Sequence, residues 1–179
     1  MTRSIDEILA VTKRPEDVEE VCLRGDLVAE YERLERQLRT ASKTAVSLGE
    51  PSPARVIAGQ MEALRAQMVE FTEPFWFRAL PPRGWSDLSA QEPDSVTDET
   101  TPEQKKVLRD AWHAWACEII AASCYEPQMT VEQATALADS LSNGQLVRLF
   151  NKAYMVNAGR TSVPFSDAAF ELLQDSGQK

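Results

Sequence analysis

The sequence predicts a mainly α fold with a small β element: an antiparallel helical hairpin with a two-stranded antiparallel ribbon at its base, followed by a small helical bundle. Three observations predict it. On either side of Gly49 and Pro51, apolar residues recur at alternating spacings of four and three, the seam of a helical coil. Segments carrying β-branched and aromatic residues stand just outside both stripes. In the second half, Ser or Thr followed three residues later by Gln opens one apolar helical stretch after another. The 179 residues are 43% hydrophobic and 26% charged, enough to bury the core of one domain or two small ones.

Taken in order, Ser4 and Glu7 form a capping box ahead of Ile5, Ile8 and Leu9. Residues 4–12 therefore read as a short helix whose apolar face can cover the ribbon. Residues 18–24, VEEVCLR, read as its first strand. Asp26 is a good N-cap for a helix with the stripe Leu27, Tyr31, Leu34, Leu38, Ala41, Ala45 and Leu48. Gly49 stops that helix and Pro51 cannot continue it. Ser52 and Pro53 start a second helix, striped with Ile57, Met61, Leu64, Met68 and Phe71. So short a loop folds the two stripes together as arms of roughly 30 Å. Their feet then bring residues 18–24 beside residues 73–80, EPFWFRAL, as antiparallel neighbours. Arg33, Arg36 and Arg39 alternate with Glu30, Glu32 and Glu35, which marks a solvated helix face rather than a phosphate track.

After Pro81 and Pro82, Trp85 and Leu88 anchor one or two helical turns. Residues 91–101, QEPDSVTDETT, hold no basic residue and almost nothing apolar, as linkers do. The domain reading is thus 1–90 for the N-terminal helix, ribbon and hairpin, 91–101 for an acidic linker and 102–179 for a C-terminal helical domain. Thr101 with Gln104, Thr130 with Gln133 and Ser142 with Gln145 start three helices there, and Ser166 starts a last one that lays VPFSDAAFELL across the bundle. The first carries Val107, Leu108, Ala111, Trp112, Trp115, Ile119 and Ile120 on its apolar face. The second carries Val131, Ala134, Leu137, Ala138 and Leu141, and the third Leu146, Leu149, Phe150, Ala153 and Tyr154.

Composition excludes several classes of function. A net charge of −9, from 28 acidic and 19 basic residues, repels a phosphate backbone, so no nucleic-acid partner is expected. No apolar run is long enough to span a bilayer, and Asp6 and Glu7 interrupt any signal-peptide core, so no membrane partner is expected and the cytoplasm is. Cys22, Cys117 and Cys124 are an odd number without a paired motif, and His113 is the one histidine. Disulfides, structural metal and cofactors are not expected, and the thiols read as buried and reduced. There is no phosphate-binding glycine loop. Cys117 lies one helical turn from His113, but nothing in the sequence orients that pair, so no enzyme is expected. Asp17, Glu19 and Glu20 read as solvated charge.

The candidate partner-binding residues are Trp112, Trp115, Leu146, Leu149, Phe150, Phe75 and Phe77, on apolar helix and strand faces, with Trp the type most enriched at binding hot spots. Each is also a natural core residue. In the alternation Phe75-Trp76-Phe77, one ring set faces away from the other.

The segments 21–38 (VCLRGDLVAEYERLERQL), 77–88 (FRALPPRGWSDL), 123–145 (SCYEPQMTVEQATALADSLSNGQ) and 162–170 (SVPFSDAAF) resemble the tail assembly chaperones of long-tailed phages that infect actinobacteria. The likeness runs over most of the chain in the same order, and the acidic linker departs from it. The resemblance implies a non-enzymatic protein of the host cell cytoplasm, absent from the mature virion. It would bind the apolar, helix-rich tape measure protein and keep it soluble while the tail tube protein polymerises around it. Such chaperones are often made in a short and a frameshifted longer form, and this chain would be the short one. Self-association through the hairpin is a further expectation. The alternatives are a structural or adaptor protein of the particle that docks through the hairpin, and an enzyme or redox protein built around Cys117, Cys124 and His113.

Overall fold

The computed structural model describes residues 3–41, 52–98 and 100–159. In chain order its elements are α1 (Ile5–Val11), β1 (Glu16–Cys22), α2 (Gly25–Ala41), α3 (Pro53–Val69), β2 (Thr72–Arg78), α4 (Pro82–Ser89), α5 (Pro102–Ser123), β3 (Cys124–Glu126), α6 (Val131–Ser140) and α7 (Asn143–Ala158). The protein is mainly helical with a small antiparallel sheet, as the sequence predicts. The expected end of the first arm at Gly49 and Pro51, its stripe residues Ala45 and Leu48, and the helix from Ser166 lie outside the described residues.

All four expected capping boxes form. Ser4 with Glu7, Thr101 with Gln104, Thr130 with Gln133 and Ser142 with Gln145 each exchange both hydrogen bonds, satisfying two backbone donors that a helix start otherwise leaves open. Pro53 occupies the first turn of α3, although Ser52 makes no side-chain cap. Asp26 is not the N-cap of α2. The Arg24 carbonyl already accepts from the Leu27 and Val28 amides, so the helix starts earlier. Asp26 stands in its first turn, bound through both carboxylate oxygens to the Arg24 guanidinium at 2.6 and 2.8 Å.

β1 and β2 pair antiparallel from Glu16 opposite Arg78 to Cys22 opposite Thr72. The ribbon is joined by a third strand that the sequence does not announce: β3 adds to β2 opposite Trp76 and Phe77, across a register irregularity. The sheet order is β1-β2-β3 among the described residues. One face of the sheet carries Val21, Phe75 and Phe77, and α7 lies on it. Salt bridges Arg148–Glu19 and Lys152–Asp17 stand along the same contact. The expectation that α1 covers the ribbon is not met. Ile5, Ile8, Leu9 and Val11 are 44–66% exposed. The apolar face of α7, with Leu146, Leu149, Phe150 and Ala153 buried, covers the aromatic side of the sheet instead, and it is far larger than the face of a seven-residue helix.

The core draws on both sides of residues 91–101. Val21, Phe75, Phe77 and Ala79 cluster with Trp115, Ala116, Ile119 and Ile120 of α5, Ala134 and Ala138 of α6, and the inner face of α7. Asn157 ties three segments together. It accepts from the Leu80 amide (2.6 Å) and donates to the Ser123 hydroxyl (2.8 Å) and the Ala153 carbonyl (2.7 Å). Trp115 donates its indole N–H to the Leu88 carbonyl (2.8 Å), which holds α4 against α5.

Candidate functional site

Of the seven residues read as partner contacts, the structure brings six into the interior: Phe75, Phe77, Trp115, Leu146, Leu149 and Phe150 are all buried. Trp112 is half-buried, with its ring edge-to-face on Phe150 at 5.2 Å. Trp115, Phe150, Tyr154 and Trp85 continue that aromatic stack. In this chain the apolar faces of α5, α7 and β2 cover one another, so these side chains are packed inside and the exposed apolar surface is built from other residues.

The first such surface is the arm. α2 and α3 pack together, and among the described residues of the arm only Leu34 (5% exposed) and Leu64 (9%) are buried. Leu27, Tyr31, Leu38, Ile57, Met61 and Met68 are half-covered. Neither Leu34 nor Leu64 belongs to the main core. The arm therefore stands on the sheet with its own thin seam. Two helices alone cannot cover apolar stripes that are each a third of a helix wide, so the flanks of the seam stay wet. The outer faces carry the pairs Glu30–Arg33, Glu32–Arg36 and Glu35–Arg39, as the charge alternation predicts. At the foot, Arg24 also lies over the Phe71 ring at 5.2 Å.

A second surface is a groove of about 570 Å³ between β2, β3 and the start of α6. It includes Leu23, Trp76, Met129 and Leu137, with Glu73 and Glu126 on its rim. Trp76 is 38% exposed, since strand alternation turns it away from Phe75 and Phe77. That signal was readable in the sequence. Met129 and Leu137 were not, because β3, which brings them beside Trp76, spans three residues with no strand-like pattern.

The free edge of β1 is less inviting. The Leu23 amide bonds to Phe71 and the Ala79 amide to Pro15, so odd-numbered residues of β1 face β2 and even-numbered ones face outward. There Gln145 donates to the Cys22 carbonyl (2.7 Å), Arg148 to the Glu20 carbonyl (3.2 Å), and the Val18 amide to the Asp17 carboxylate (2.8 Å). Side chains thus blunt an edge that would otherwise template a further strand.

A cleft of about 930 Å³ lies between α5, α6 and residues 92–96, and Lys106, Arg109, His113 and Asp139 help line it. Behind it, His113 Nδ1 stands 3.9 Å from Cys117 Sγ, and His113 Nε2 stands 3.7 Å from Asp139 Oδ1. The order thiol, imidazole, carboxylate is that of a nucleophile, a base and an orienting group. Both distances are long for such a relay. Cys117 is fully buried, and burial raises its pKa, which disfavours the thiolate that would react. Burial likewise pushes the Cys124 thiol up to about 11. Cys22, expected to be buried, is half-exposed, and all three thiols are free.

Among the described residues, no three His, Cys, Asp or Glu side chains converge to hold a metal ion, and no helix is long and apolar enough to cross a membrane. Compared with protein-family models, with curated proteins and with solved structures, the chain matches none.

Proposed function

We propose that this protein is a tail assembly chaperone of a long-tailed phage. In this reading it works in the host cell cytoplasm without catalysis. It binds the tape measure protein, keeps it soluble while tail tube protein polymerises, and leaves before the virion is complete. The observation that carries the reading is the under-covered arm. A paired-helix surface with, among the described residues, one buried leucine per helix and half-covered flanks is completed by a third amphipathic helix, which is what a long helical client offers. The resemblance of four separated segments to such chaperones supports the same reading, and a net charge of −9 helps keep a complex with an apolar client in solution.

Co-expression with the tape measure protein from the same genome tests it. The expected result is a soluble client that co-purifies with this chain. An insoluble client with nothing co-purifying overturns the proposal. Recovery of the chain from purified particles would favour the structural or adaptor role instead.

A further inference from the structure

We propose that the groove between the free edge of β2 and α6 is a docking site for a cationic amphipathic helix. The apolar stripe of that helix would lie on Trp76, Met129 and Leu137, and its lysine or arginine side chains would reach Glu73 and Glu126.

The first ground is that the groove is apolar and open. Phe75 forms a buried part of its wall, while Trp76 and Leu23 are 38% and 46% exposed. Tryptophan is among the residue types most enriched at binding hot spots, and methionine suits an adaptable apolar contact. The second ground is the form of the occupant. Among the described residues, β3 pairs only with Trp76 and Phe77, and no strand pairs with β2 on that side from Thr72 to Phe75. The ladder with β1 uses the odd-numbered residues of β2, which turns the backbone of Thr72 and Pro74 toward the other edge, where Pro74 lines the groove. Proline has no N–H to donate, so an added strand would lose its ladder there. A helix, whose backbone is satisfied internally, needs no ladder. The third ground is charge. Among the described residues, the groove lining holds Glu73 and Glu126 and no Lys, Arg or His. A second copy of this chain, at −9, is repelled from it, and a cationic partner is drawn to it.

The inference rests on the client-binding reading for its biological use, but its test is separate. The probe is a fluorescein-labelled peptide of leucine and lysine, about five helical turns long, with its leucines at helical spacing. A leucine–glutamate peptide of the same pattern is its counterpart. Fluorescence anisotropy compares the wild type, E73K/E126K, and E62K/D87K, which makes the same change in net charge outside the groove. The wild type should bind the lysine peptide and not the glutamate one. E73K/E126K should lose about tenfold or more in affinity while E62K/D87K keeps it, and Trp76→Ala should weaken binding by a similar factor. All four glutamate and aspartate positions are exposed, so the variants should fold, and unchanged circular dichroism would verify this. No binding by the wild type, equal losses in both charge variants, or an unaffected E73K/E126K would each overturn the site. Because the proposed function has the arm meet the client, failure of the peptide titration overturns the groove and leaves the chaperone reading standing, and failure of the co-expression test overturns the chaperone reading and leaves the peptide result standing.

Discussion

Asn157 is the residue whose loss should be felt most for its size. Its amide satisfies the Leu80 N–H and the hydroxyl of Ser123, and Ser123 is 1% exposed. Asn157→Ala should lower the unfolding free energy by about 1–3 kcal/mol, because it strands buried polar groups rather than merely removing a bond. A urea titration measures this, and an unchanged midpoint would mean that water replaces the amide. Nothing in the sequence marks Asn157, since its partners lie far from it along the chain. By contrast, the split between buried Phe75 and Phe77 and exposed Trp76 follows from alternation alone. The thiols give a second expectation. With Cys117 and Cys124 buried and their pKa values raised, only Cys22 should react quickly with a thiol reagent at neutral pH; fast modification of two or three would contradict the packing. A raised folded-state pKa stabilises the protonated thiol. Its contribution is therefore present below the ordinary thiol value of 9.0 and lost as the pH climbs through about 11.

At the level of elements, the hairpin is a satellite of the core, and this can be tested with the protein's own chromophores. Trp76, Trp85, Trp112 and Trp115, its four tryptophans, all lie outside the arm. Leu34→Ala with Leu64→Ala should loosen the arm, each costing about 2–3 kcal/mol, the low end for buried leucines. Far-ultraviolet ellipticity should fall while near-ultraviolet tryptophan signals hold, and loss of both together would show that arm and core unfold as one. The first turn of α2 adds a pH-dependent element. The Arg24 guanidinium beside Asp26 lowers its carboxyl from the ordinary 3.8 to about 2, so the pair supports the helix start above pH 4. That support is lost as the pH falls through about 2. Proton NMR of Asp26 should place its midpoint there in the wild type and nearer the ordinary value in Arg24→Ala. The arm was legible in the sequence because heptad spacing is local. The position of α1 was not: its capping box fixed its helicity, but α7 competes for the same sheet, and that competition is visible only in three dimensions.

For the whole molecule, the sequence suggested two halves on either side of an acidic stretch, and the structure gives a core to which both contribute. Val21, Phe75 and Phe77 sit in one cluster with residues of α5, α6 and α7. Residues 91–98 are without regular structure and lie mostly at the surface, so limited proteolysis should cut there. After the cut the two pieces should still elute together in gel filtration, because separating them would expose the shared core; dissociation without denaturant would show that the contact is weak. Composition marks such a crossing but says nothing of what packs across it. The route of the chain at the base of the arm has a mechanical consequence. β1 runs almost directly into α2, and α3 almost directly into β2, so a pull on the finger reaches the sheet through both strands at once. Both strands are drawn from the same paired end, Cys22 beside Thr72, so the ladder between them is spared and the load falls on the contacts that hold the sheet to α7. A tug on the finger would thus be passed to Trp76 next door, making finger and groove two ends of one handle.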